Sequence, residues 1–275
     1  MFHVEQNAPA AKEIETVMRY IDSHCHPNNA DLRGEARTVF ERARAAGVLK
    51  MGAIGSDLAD SAEAVQMCRD YAEYGLFAVV GVHPHEARTM PNEVAPELLE
   101  LAQQPEVRAW GEIGLDYFYD FSTREQQQSC LVAQLEAAKA LGKTVVFHVR
   151  DAYDDFWKLL TPELAPEHAV LHCFNGSAAD AKRALDLGWM IGFTGMITFK
   201  SCQPLRDVAA GVPLSRILCE TDSPYMAPVP FRGTRNEPCN VPLVYRKIAE
   251  IKDMDLDDTV EQIWQNNMRF WGFAE

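Results

Sequence analysis

Residues 107–151 read VRAWGEIGLDYFYDFSTREQQQSCLVAQLEAAKALGKTVVFHVRD. The apolar run 107–116 carries the acids Glu112 and Asp116 at its far end. After a loop, REQQQSCLVAQLEAAKAL has the spacing of an amphipathic helix. Gly142 then stands where a helix C-cap glycine belongs. A second apolar run, 143–151, starts at once and carries His148 near its end. Strand, helix and strand in this order predict a parallel β-α-β unit.

The same alternation extends in both directions. Before it lie apolar runs at 19–26, 48–56 and 75–85, with EARTVFERARAA as another amphipathic stretch. After it lie runs at 168–176, 189–196 and 216–224. Gly47, Gly75 and Gly188 again fall between a helical stretch and the next run. Eight strands alternating with helices predict an α/β protein, a single (β/α)₈ TIM barrel, which takes about 250 residues. The chain has 275, of which 47% are hydrophobic and 24% charged, enough for one large core. No Ser/Gly-rich linker or charge block divides it. Residues 1–18 are therefore read as an N-terminal extension and 19–275 as the barrel domain.

Several classes are excluded. No apolar run is long enough for a membrane span. The first residues lack the basic start and apolar run of a secretory signal. Seven cysteines without CxxC spacing predict free thiols in a reducing compartment, the cytoplasm. Cys25 and Cys173, beside metal-type histidines, are expected to face away from them along a strand and to serve as packing residues. The net charge of −14 argues against broad coating of nucleic acid. It leaves a phosphate ester open as substrate, because bound divalent metals would reverse the local sign.

In a barrel of this type the active site lies at the C-terminal ends of the strands, where the polar residues here collect. The first run ends in Asp22, His24 and His26, which strict alternation would place on one face. The fourth carries Glu112, the fifth His148, the sixth His172, and the eighth Glu220 and Asp222. A lone histidine there is ordinary core packing, but four at the same end of separate strands are not independent. Four histidines with carboxylates exceed what one ion needs, so two divalent metals are expected. Glu112 can bridge them, and Asp222 can act as general base toward an activated water. Glu220 is expected behind the ligands, orienting an imidazole, and Asp22 either does the same or coordinates a metal itself. No phosphate-binding glycine loop or serine-nucleophile motif competes for the chemistry.

The blocks DSHCH, GVHPHEA, GEIGLDY, FHVRDA, LHCFNGS, GFTGMITFK, ETDSPYMAPVPFRGTRNEP and NNMRFWGF, from about Tyr20 to Phe273, resemble the TatD family of metal-dependent hydrolases. The resemblance implies a deoxyribonuclease using Mg, Mn or Zn on the 3′ ends of single-stranded DNA. The alternative it implies is a D-aminoacyl-tRNA deacylase or other ester or amide hydrolase on the same site. Position by position, it implies one metal on His24, His26, Glu112 and Asp222 and a second on Glu112, His148 and His172. It implies catalytic roles for Glu112 and Asp222, and a phosphate contact for His83. Arg150, Asn175, Arg232 and Arg235 are further candidates for substrate binding, since arginine's planar fork suits phosphate. Phe118 and Phe231 are candidates for stacking on bases, and Tyr225 for fixing the long irregular loop 223–242. The chain is expected to act as a monomer and without a membrane. It departs from the family in reading HCHPNNAD where HCHLD is usual, so the first loop should differ in shape. A non-catalytic barrel is disfavoured because no ligand position is missing. Amidohydrolases that bridge their metals with a modified lysine are disfavoured because Glu112 holds that place.

Overall fold

The computed structural model describes residues 18–90, 92–119 and 121–274. The proposed extension, but for Met18, lies outside them. Eight strands occur in chain order: β1 Tyr20–Cys25, β2 Val48–Ile54, β3 Leu76–Val80, β4 Val107–Asp116, β5 Thr144–Arg150, β6 Ala169–Leu171, β7 Met190–Phe193 and β8 Ile217–Cys219. Each pairs in parallel with the next. Just past the strand ends, the His26 N–H donates to the Ser223 carbonyl at 2.7 Å and the Asp222 N–H to the His24 carbonyl at 2.9 Å. These two bonds join the last strand to the first at the mouth.

Every strand contributes to the interior cluster: Ile21, Ile54, Phe77 and Val79, Ala109, Val146, Val170, Met190 and Leu218. Trp264, Met268 and Trp271 of the C-terminal segment pack against this layer and close its floor. Arg19, immediately before β1, stacks on Trp264 at 4.5 Å, which marks that end as the one opposite the site. Outside the strands, Val39, Phe40, Leu131, Leu135 and Ile248 belong to the larger core between barrel and helices. Among the described residues no helix is long and apolar enough to cross a membrane.

All the strands but β4 are shorter than their apolar runs. β3 stops at Val80, so His83 and His85 stand in a loop and its 3₁₀ turn Pro84–Thr89, where proline cannot donate to a ladder. β6 and β8 span three residues each. Cys173 and Asp222 beyond them have φ of 42° and 54°, a left-handed turn that strand alternation cannot describe. Cys173 is buried, but its place is not set by a strand: its Sγ lies 3.5 Å from Thr194 Oγ1. β1 also shifts register between Asp22 and Cys25. Asp22, His24 and His26 therefore do not simply share a face.

Candidate metal centre

Glu112 sits on β4, buried at the centre of the mouth. Its two oxygens face different histidines. Oε2 lies 3.4 Å from His24 Nε2 and 3.8 Å from His26 Nε2. Oε1 lies 2.9 Å from His148 Nδ1 and 2.8 Å from His172 Nε2. Asp222 joins the first side, with Oδ1 3.4 Å from His26 Nε2 and 4.0 Å from His24 Nε2. The rings of His24 and His172 stack at 3.6 Å, so the two sides are adjacent.

Each histidine on the Oε1 side has a carboxylate behind it. His172 Nδ1 lies 3.1 Å from Glu220 Oε1, and His148 Nε2 lies 3.0 Å from Asp116 Oδ2. Such carboxylates fix the orientation of a metal-binding imidazole. Both rings thus touch a carboxylate through each nitrogen. Burial would push their pKa values down. Asp116 and Glu112 nevertheless raise His148, and Glu112 and Glu220 raise His172 well above the ordinary range. Burial alone would likewise raise Glu112, but His172, His24 and His83 hold it well below the usual carboxylate range. Asp222 is also held low, against its burial, by His26 and His172.

The donor set fits divalent metals. His24 Nε2 is buried with no hydrogen-bond partner among the described residues, as a ligand nitrogen would be without its ion. The buried carboxylates Glu112, Asp116, Glu220 and Asp222 form no ion pair with lysine or arginine among the described residues. Their near neighbours are instead the imidazoles just described and two more, His83 and His85. Three overlapping groups have ligand atoms close enough to share an ion: His24, His172 and Asp222; His24, His26 and Glu112; His83, Glu112 and His148. His83 belongs to the last by distance but not by chemistry. Its Nδ1 accepts the His85 N–H at 3.1 Å, so the neutral ring carries its proton on Nε2, 3.7 Å from Glu112 Oε1. Burial lowers its pKa well below the ordinary value and keeps the ring neutral. His83 is therefore a donor aimed into the site.

Other expected residues fall differently. Glu220 does orient an imidazole, and it also accepts the Cys173 N–H at 2.5 Å and the Ser23 hydroxyl at 3.2 Å. Asp22 does not. Its carboxyl accepts from the Thr221 N–H at 2.8 Å and the Thr221 hydroxyl at 2.5 Å, which ties β1 to the end of β8. Burial pushes it up to about 8. Arg235 is held by Glu237 at 3.0 Å, Glu35 at 3.3 Å and the Asp31 carbonyl at 2.8 Å. It ties the eighth loop to the first. The Asn175 amide donates to the Val149 carbonyl at 3.1 Å and the Cys173 carbonyl at 3.3 Å, joining two strand ends. Arg150 lies 3.8 Å over the Phe118 ring, and Arg232 4.5 Å over Phe199. Phe231 is exposed in the eighth loop. The Tyr225 hydroxyl accepts from Asn29 at 3.1 Å, which fixes that loop as expected. In the divergent first loop, Asn28 is buried and donates to the Ile54 carbonyl and to Asp60.

Sequence reasoning gave no role to Asp116 or His85. Asp116 Oδ2 takes both His148 Nε2 and His85 Nε2, each at 3.0 Å. Its spacing of four from Glu112 on one strand was the available signal.

A parallel barrel with histidines and carboxylates gathered at its C-terminal mouth is the architecture of a metal-dependent hydrolase. Known proteins agree. The model of the family described as TatD related DNase matches residues 21–272. The 3′-5′ ssDNA/RNA exonuclease TatD of Edwardsiella piscicida is 36% identical over 255 residues, covering 90% of this chain and 97% of its own. YabD of Bacillus subtilis, described as an uncharacterized metal-dependent hydrolase, is 34% identical over 251 residues, covering 91% and 98%. The crystal structure of a TatD homologue from Escherichia coli superposes with a TM-score of 0.85 at 31% identity, covering 94% of this chain and all of that one. The chain belongs to the TatD family of metal-dependent hydrolases.

Proposed function

We propose that this hydrolase is a two-metal 3′-5′ exonuclease acting on single-stranded nucleic acid. The observation that carries the reading is the division of donors across the two oxygens of Glu112. His24, His26, Glu112 and Asp222 would hold one ion, and Glu112, His148 and His172 the other. When bound, the ions supply Lewis acidity for a phosphoryl oxygen and lower the pKa of a water. Asp222, held ionised by its histidine neighbours, is the base that accepts the water's proton. Glu220 and Asp116 keep His172 and His148 in place through their outer nitrogens. His83 donates from Nε2 to a phosphoryl oxygen. The Edwardsiella relative, named as a 3′-5′ ssDNA/RNA exonuclease, supports the substrate class. The seven free thiols support the cytoplasm as the place of action.

The test is nucleotide release from a 3′-labelled single-stranded oligonucleotide with Mg²⁺, Mn²⁺, Co²⁺ or Zn²⁺, beside release of the amino acid from a D-aminoacyl-tRNA. Nucleotide release is expected, with a loss of about 10²-fold or more in Asp222→Asn. Failure with every metal, or activity on the aminoacyl ester alone, would overturn the reading.

A further inference from the structure

Among the described residues, eight large hydrophobic side chains are exposed, and six of them line two loops at the barrel mouth. Phe118, Tyr119 and Phe121 follow β4, and Tyr225, Val229 and Phe231 follow β8. Exposed apolar patches gathered in one place mark a binding surface. The β4 group has an ordered geometry. Tyr119 and Phe121 stack at 5.4 Å with planes 17° apart, and Phe118 meets Tyr119 edge-on at 4.7 Å. Arg150 sits 3.8 Å over Phe118 and 5.1 Å over Tyr119, and it has no carboxylate partner among the described residues.

The group is also one ring away from the metal centre. Tyr119 and Phe121 meet the His85 ring at 5.3 and 5.0 Å. His85 shares Asp116 Oδ2 with His148, which faces Glu112. Arg88 fastens the loop by donating to the carbonyls of Phe121 and His85 at 2.9 and 3.1 Å.

We propose that Phe118, Tyr119 and Phe121, with Arg150 laid on Phe118, form a base-stacking platform that holds an unpaired strand beside the metal centre. The proposal rests on the exonuclease reading and names how the strand is recognised. The net charge of −14 argues against capture of nucleic acid by a broad basic surface. Stacking supplies affinity without such a surface, because every base has a π face. Arg150 adds one cation for a phosphate next to the stacked base. The same requirement selects against duplex, whose bases are already stacked on one another and present no free face to the rings.

The test compares two single strands of equal length in binding to the Mn²⁺-loaded protein by fluorescence anisotropy. One is a phosphorothioate oligothymidylate; the other has the same backbone with tetrahydrofuran abasic residues. The phosphate contacts are common to both, and only the first can stack. The wild type is expected to bind the base-bearing strand about tenfold more tightly or better. Phe118→Ala combined with Tyr119→Ala is expected to bring the two strands within about twofold, and Phe118→Trp to keep the preference. Both positions are exposed, so the fold should survive, and circular dichroism checks it. Equal binding of the two strands by the wild type, or a preference that survives the double substitution, overturns the proposal. The rings would then be a surface for some other apolar partner. Failure of the exonuclease reading shows separately, as absence of nucleotide release from an ordinary oligonucleotide, and leaves the strand comparison measurable.

Discussion

Glu220 stands behind the donor cluster, where it holds His172 through Nδ1 and the backbone of Cys173 at once. Its room depends on Gly192. A Cβ at that position would lie 2.7 Å from Glu220 Oε2, closer than side chains approach, and Glu220 is buried with little space to retreat. Glu220→Gln removes the charge behind His172, and Gly192→Ala displaces the same carboxylate sterically. Both are expected to weaken metal affinity or activity by about 10- to 100-fold. Metal titration followed by calorimetry, with nucleotide release as the second readout, checks them; a wild-type metal affinity in Gly192→Ala would disprove the steric account. This level of the site was partly legible in the sequence. His24, His26, Glu112, His148, His172 and Asp222 converge because strand ends of a parallel barrel share one mouth, and Glu220 was in register to stand behind them. The surroundings of Asp22 and Arg235 were not legible: Thr221 and Glu35 come from distant segments of the chain, and no periodicity predicts which backbone or side chain a polar group will meet there.

The helix Arg124–Ala140 carries more of the site than its amphipathic spacing suggested. It opens with a capping box in which Thr123 accepts the Gln126 N–H and Gln126 accepts the Thr123 N–H. One turn on, the buried Gln127 accepts from the Asp116 N–H at 2.8 Å and donates to the Asp116 carbonyl at 2.9 Å. Two turns further, Gln134 does the same for Val82, at 2.8 and 2.9 Å, and accepts from Trp110 Nε1 at 3.1 Å. Two inward glutamines thus clamp the backbone at Asp116 and next to His83. Gln134→Leu fills the space but leaves the buried Val82 N–H and carbonyl without partners. The expected cost is about 2 kcal/mol or more of unfolding free energy, read from equilibrium urea denaturation. A lower activity should accompany it, since His83 follows Val82 directly. An unchanged urea midpoint would mean that the loop finds other partners. The element itself was visible in the sequence. Its inward glutamines were not, because glutamine is usually a surface residue and a helix wheel counts it as polar.

At the scale of the whole molecule, the −14 charge and the nucleic-acid reading have to be reconciled. The arginines near the mouth are mostly committed: Arg235 to Glu35 and Glu237, and Arg88 to Glu86 and loop carbonyls. Arg150 and Arg232 stack on aromatic rings and have no carboxylate partner among the described residues. These two arginines together can neutralise one or two phosphates. Each neutralised phosphate of a single strand contributes a slope of about −0.7 to log K against log salt. The slope for the oligothymidylate should consequently be shallow, roughly −0.7 to −1.4, when affinity is followed between about 50 and 200 mM salt at fixed Mn²⁺. Most of the affinity should persist at the upper end, because stacking on Phe118 and Tyr119 does not release counterions. Replacing Arg150 by methionine should bring the slope nearer zero by about 0.7 while the preference for the base-bearing strand remains. A slope steeper than about −3 would require more cationic contacts than these two arginines supply, and would count against this division of labour between rings and arginines.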